Sequence, residues 1–170
     1  LVIFFCFSSV ILFPQSHATD SLTKLLPKLE GEKRVDALNN LAKIYQRSDD
    51  EKPLSYSKEA LKLAEEINYK KGILDACLNI SIANLQLSKF EESLKFSIRA
   101  LEITEQSNDT AKSAECYVSI ANAYLNMNNF EYAISNYKRA EKIFSLVGDS
   151  LNMGTVYNNL AVSYDNREIL

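Results

Sequence analysis

The feature that most constrains this chain is a pattern that returns about every forty residues. Ala60, Ala100 and Ala140 are forty apart, as are Leu54, Leu94 and Ile134, and Leu63, Ile103 and Ile143. Asn68, Asn108 and Gly148 keep the same step. A second register runs through Asn40-Leu41-Ala42, Asn79-Ile80-Ser81, Ser119-Ile120-Ala121 and Asn159-Leu160-Ala161, spaced 39, 40 and 40. A period of this length marks stacked supersecondary units, none of which can bury its apolar face alone.

Each period reads as two helices. In the third, Ala114, Tyr117, Ile120, Ala121 and Tyr124 recur at steps of three and four, the spacing of one helix face. Met127-Asn128-Asn129 interrupts, and a second face runs from Phe130 through Ala133, Ile134, Tyr137, Ala140 and Ile143. Gly148 suits the left-handed residue that ends a helix, with Asp149 or Ser150 capping the next, and Asn108-Asp109-Thr110 does the same one period earlier. Pro53 falls in the first turn after Asp49-Asp50, where a missing N–H is harmless. The small residues Ala42, Ser81, Ala121 and Ala161, and Ala60, Ala100 and Ala140, are expected where helices cross closely. No long alternation of period two suggests a sheet, so the chain is expected to be all-α.

Composition narrows the chemistry. Nineteen basic and twenty-two acidic side chains leave a net charge of −3 without a basic block, a poor basis for nucleic-acid binding. Four glycines leave little room for a phosphate-cradling loop, and His17 is the single histidine. No nucleophile–base pair is visible, so this segment is expected not to be an enzyme and to need no cofactor. Asp49-Asp50-Glu51 reads as a helix start with favourable dipole placement rather than a metal site, and Tyr69-Lys70-Lys71 as a solvated turn. The sequon Asn79-Ile80-Ser81 falls inside a packed helix, which argues against its use for glycosylation.

The amino terminus has a different character. Leu1 to Phe13 carries no charge and is followed by Pro14 and Ser16-His17-Ala18. An apolar run ending in small-x-small predicts a secretory signal peptide over residues 1–18, cut after Ala18, with its start truncated. An uncleaved anchor is the alternative. Cys77 and Cys116 lie in apolar helical stretches and are read as small buried hydrophobes; export leaves a disulfide open.

The third-period residues Tyr117, Ile120-Ala121, Tyr124, Ala133, Tyr137 and Ala140 resemble the tetratricopeptide repeat signature, in a variant longer than thirty-four residues. Cys77, Ile80-Ser81, Asn84, Ser93, Ser97 and Ala100 give a weaker second match, and Leu38, Leu41-Ala42, Tyr45 and Ala60 a first in which Pro53 replaces the usual Ala. The resemblance implies a right-handed α-solenoid of helical hairpins over residues 34–72, 73–112 and 113–152, with the first helix of a fourth at 153–166. Tyr157 and Leu160 lack a second helix, from which the natural chain is expected to continue. Residues 19–33, with Leu22, Leu25, Leu26 and Leu29 on one stretch, are expected to cap the first hairpin.

In this family the first helix of each pair lines a concave groove. The resemblance therefore places Asn39, Lys43, Leu78, Ile82, Val118, Asn122, Asn158 and Val162 in a surface for a peptide or partner helix. Lys43 has no cationic companions at matching positions, so the carboxylate clamp of some members is missing. The segment from Asp20 is also similar to the start of exported bacterial repeat regions that precede a membrane span and a signalling module, commonly a histidine kinase. The expected role is the extracytoplasmic input region of a bacterial membrane signalling protein, with membrane contact through the leader or a downstream span. A free-standing exported scaffold is the alternative.

Overall fold

The computed structural model describes residues 21–46, 51–107 and 109–169. Among them, helical residues 21–25 lead into a 3-10 turn, Leu26–Lys28, and seven longer helices follow. These are α1 (Gly31–Tyr45), α2 (Lys52–Glu66), α3 (Lys70–Gln86), α4 (Phe90–Ser107), α5 (Thr110–Asn126), α6 (Phe130–Val147) and α7 (Ser150–Ile169). The first helices of successive pairs begin at 31, 70, 110 and 150, steps of 39, 40 and 40 that match the sequence register. No strand occurs among the described residues.

The turns explain why the helices stop where they do. Asn68, Ser88, Asn128 and Gly148 adopt positive φ, from 54° to 74°. The amide of the following residue then closes back on a carbonyl five residues earlier: Tyr69 on Ala64 at 2.8 Å, Lys89 on Asn84 at 2.8 Å, Asn129 on Tyr124 at 2.9 Å and Asp149 on Phe144 at 2.9 Å. These are Schellman-type closures that satisfy carbonyls the helix leaves unpaired. Asp109 makes the same bond to Thr104 at 3.0 Å, while Asn108 lies outside the described residues. New helices start on side-chain caps: Asp109 accepts the amide of Lys112, and Asp149 that of Asn152, both at 3.1 Å. Pro53 occupies the first turn of α2, and Glu51 precedes that helix; Asp49 and Asp50 lie outside the described residues.

Each helix packs on the next along the chain, and α1 also packs on α3, and α3 on α5. Ala42, Ala121, Ala60, Ala100 and Ala140 are fully buried, as small residues at helix crossings should be. Ser81 shares that position but adds a hydroxyl, which bonds Ser93 at 3.0 Å and Ser97 at 2.6 Å inside the second hairpin. Ala161, expected at a crossing, is instead exposed on α7. The apolar core forms two clusters. One joins Val35, Leu38, Ala60, Leu74, Cys77, Ile80 and Cys116; the other joins Ala121, Ile134, Tyr137, Phe144, Val156 and Leu160. Leu26 packs against the first cluster, and its carbonyl accepts from Arg34, which also pairs with Glu59 at 2.7 Å.

Candidate partner-binding groove

The first helix α1 touches α3, and α3 touches α5, whereas the second helices α2, α4 and α6 do not pack together in that way. A stack whose first helices are closer than its second helices bends around the first helices, so α1, α3, α5 and α7 line its inner side. Their burial follows from this. α1, α3 and α5 each have their own hairpin partner on one side and a neighbouring first helix on a flank.

The eight expected groove residues divide between interior and surface. Asn39 is 3% exposed: its Nδ2 donates to the Gly72 carbonyl at 3.1 Å, and its two oxygens accept from Asn79 Nδ2 at 3.2 Å each. Leu78, 7% exposed, belongs to the first core cluster. These two residues join α1 to α3. Lys43 is exposed, with Nζ 3.9 Å from the Asp75 carboxylate. Ile82, Val118 and Asn122 are half-buried, and Asn158 and Val162 exposed. The accessible members are thus three aliphatic residues, two amides and one lysine, spread over α1, α3, α5 and α7.

Several charged groups on or beside the first helices already have partners. Lys112 Nζ lies 2.8 and 2.9 Å from the two Glu115 carboxylate oxygens, and the Tyr69 hydroxyl donates to Asp36 at 3.1 Å. Burial, followed by the bond to Asp36, raises the Tyr69 pKa. The two thiols are unbridged and buried, and burial pushes Cys77 up to about 11 and Cys116 up to about 12. Thiols held this way are poor nucleophiles. No cluster of three or more metal-ligating side chains occurs among the described residues, and no described helix is long and apolar enough to cross a membrane.

Three residues outside the eight expected for the groove make polar contacts to members of that set. Asn79 carries the seam beneath the groove floor. Tyr137, fully buried on α6, donates its hydroxyl to Asn122 Oδ1, and Asn159 Nδ2 donates to the same oxygen at 3.2 Å. The signal for two of them was the row Asn40, Asn79, Ser119 and Asn159, which marks the period and also threads amides along the first helices.

Paired helices in a curved stack define the chain as a tetratricopeptide-type α-solenoid. The tetratricopeptide repeat family model matches residues 73–146, from α3 to near the end of α6. No curated protein matches. Solved structures are similar throughout. A signal transduction ATPase with numerous domains and a tetratricopeptide repeat sensor, from Pyrococcus horikoshii, aligns at TM-score 0.78 and 23% identity, over 91% of this chain and 24% of that one. Apo RapI aligns at 0.74 and 16% identity, over 91% and 44%. A Rap protein complexed with competence and sporulation factor aligns at 0.71 and 16% identity, over 91% and 50%. At these identities the likeness establishes the fold. The chain spans between about a quarter and a half of the length of these three proteins.

Proposed function

We propose that this chain is a non-catalytic interaction module that holds a peptide or partner helix along the inner face of α1, α3, α5 and α7. The observation that supports the reading is that Ile82, Val118, Asn122, Asn158 and Val162, all on first helices, keep side-chain surface open to a ligand. Amides bond a ligand's backbone while aliphatic side chains hold its apolar residues. The Rap protein solved with competence and sporulation factor, and the ATPase with its repeat sensor, are proteins of this fold with ligand-binding and sensing roles, and they support the same use here. The uncharged run before Ala18 and the form of the segment from Asp20 support export, with this region as the extracytoplasmic input of a bacterial membrane signalling protein.

The groove reading is tested by selecting binders from a displayed library of short peptides on the 170-residue chain. Val118→Asp and Asn158→Ala are expected to weaken the selected peptides about tenfold or more, equivalent to ~1.4 kcal/mol. Peptides whose binding ignores both substitutions overturn it. Export is tested separately by fusing alkaline phosphatase after Leu170 in a bacterial host: activity supports it, and an inactive, stably expressed fusion counts against it.

A further inference from the structure

Residues 57, 97 and 137 occupy one position of the three second helices, and all are fully buried. Ser57 donates to the Pro53 carbonyl at 2.6 Å, within its own helix. Ser97 bonds Ser81 at 2.6 Å and the Ser93 carbonyl at 3.0 Å, within its own hairpin. Tyr137 differs. Ala121 holds the position of Ser81 in the preceding pair, and both it and Tyr137 are buried in one apolar cluster, so no hydroxyl at position 121 bonds within the hairpin. The Tyr137 hydroxyl emerges beneath the groove and donates to Asn122, where Asn159 from α7 also donates.

We infer that Tyr137 is a positioning residue for the groove: with Asn159 it fixes the Asn122 amide so that its NH2 group is presented to the backbone carbonyls of a bound peptide. A carbonyl oxygen has two lone pairs, and the two donors occupy both. The Asn122 NH2 lies on the opposite edge of the amide plane. Among the described residues it makes no bond, and it is not sealed from solvent. A donor whose orientation is set before the ligand arrives loses less freedom on binding. The first two pairs have no equivalent, since Lys43 and Ile82 hold the positions that match Asn122. Recognition therefore centres on α5 and α7. This inference rests on the groove reading and specifies where and how the groove binds.

The test has two arms on the 170-residue chain. Without ligand, side-chain amide NMR should show the Asn122 NH2 as ordered as the backbone in the wild type. In Tyr137→Phe and in Asn159→Ala it should become mobile while backbone hydrogen exchange of α5 is retained. Should Tyr137→Phe fail to fold, Asn159→Ala, at a half-buried site, decides this arm. An Asn122 amide equally mobile in wild type and variants overturns the inference. In the second arm, a peptide selected on the wild type should lose about tenfold in affinity with Asn122→Ala, and a similar amount with Tyr137→Phe. The double variant should lose no more than either, because one acts through the other. Additive losses overturn the positioning role while leaving the groove intact. A library that yields no groove binder sinks the groove reading, and the NMR arm still decides whether Tyr137 holds Asn122.

Discussion

Gly72 shows how much one absent methyl carries. A Cβ at that position in α3 would meet the Tyr69 ring and lie 2.5 Å from Val35 Cγ1, and the Gly72 carbonyl also accepts from Asn39. Both neighbours are packed side chains, so Gly72→Ala is expected to destabilise by about 1–3 kcal/mol. Gly154, inside α7, has nothing within 4 Å of the same added atom. There the substitution should stabilise by about 0.5–1 kcal/mol, because alanine loses less freedom in a helix. Urea midpoints of the two variants, moving in opposite directions, check the pair. The thiols give a pH prediction at the same scale. Burial raises both above the ordinary 9.0, to about 11 for Cys77 and about 12 for Cys116, so the folded state keeps protons that the unfolded chain releases. Their contribution is complete below pH 9 and is lost as pH rises toward the folded values, at up to ~1.4 kcal/mol per thiol per pH unit. Urea titrations at pH 8 and 10.5 should show the loss, and replacing both cysteines with alanine should flatten this part of the profile.

At the scale of elements, the chain is punctuated every twenty residues. The closures at Tyr69, Lys89, Asp109, Asn129 and Asp149 are evenly spaced and use one geometry, so all seven helices are nearly commensurate. The helices were legible in the sequence because apolar residues at steps of three and four report a buried face directly. Asn68 and Gly148 were legible as stops. Ser88, an unusual residue for positive φ, hid the half-period. The groove was read less well for a geometrical reason. A first helix such as α3 is buried on several sides, from Leu74 through Asn84, so the position beside the core face falls inside the structure as often as on its surface. The contacts of Tyr137 and Asn159 with Asn122 span 15 and 37 residues and three elements, and leave no periodic trace. The caps carry their own prediction. Asn152 donates to the Asp149 carboxylate from its backbone at 3.1 Å and from its side chain at 2.7 Å, and these bonds hold the Asp149 pKa below the ordinary 3.8. A lowered carboxyl stabilises above its ordinary pKa and loses that contribution as pH falls through the lowered value. The first turn of α7 should therefore open in acid while α6 remains protected, with the Asn152 side-chain amide becoming mobile in step. Simultaneous loss of α6 and α7 would contradict this.

Over the whole molecule, stability is set by how the pairs are coupled. The two apolar clusters meet at α5, whose Cys116 belongs to the first and whose Ala114 and Ala121 belong to the second. Between them lies a polar contact: Ser113 Oγ lies 2.9 Å from Thr104 Oγ1 and 3.0 Å from the Asp109 carbonyl, and Ser113 and Thr104 are buried. A hydrogen bond contributes less net coupling than equivalent apolar burial, since folding exchanges it for bonds to water. Stability in a stack is nearly a sum of unit and nearest-neighbour terms, so the join with the smallest apolar term parts first. Native-state hydrogen exchange in rising denaturant should resolve two cooperative units, residues 31–107 and 110–169, opening at different free energies. Replacing both partners, Thr104→Val with Ser113→Ala, removes the polar contact without leaving either hydroxyl unpaired and should bring the two openings together. If the wild type already exchanges as one unit, or if the double variant separates the units further, coupling at this join is not limited by its polarity.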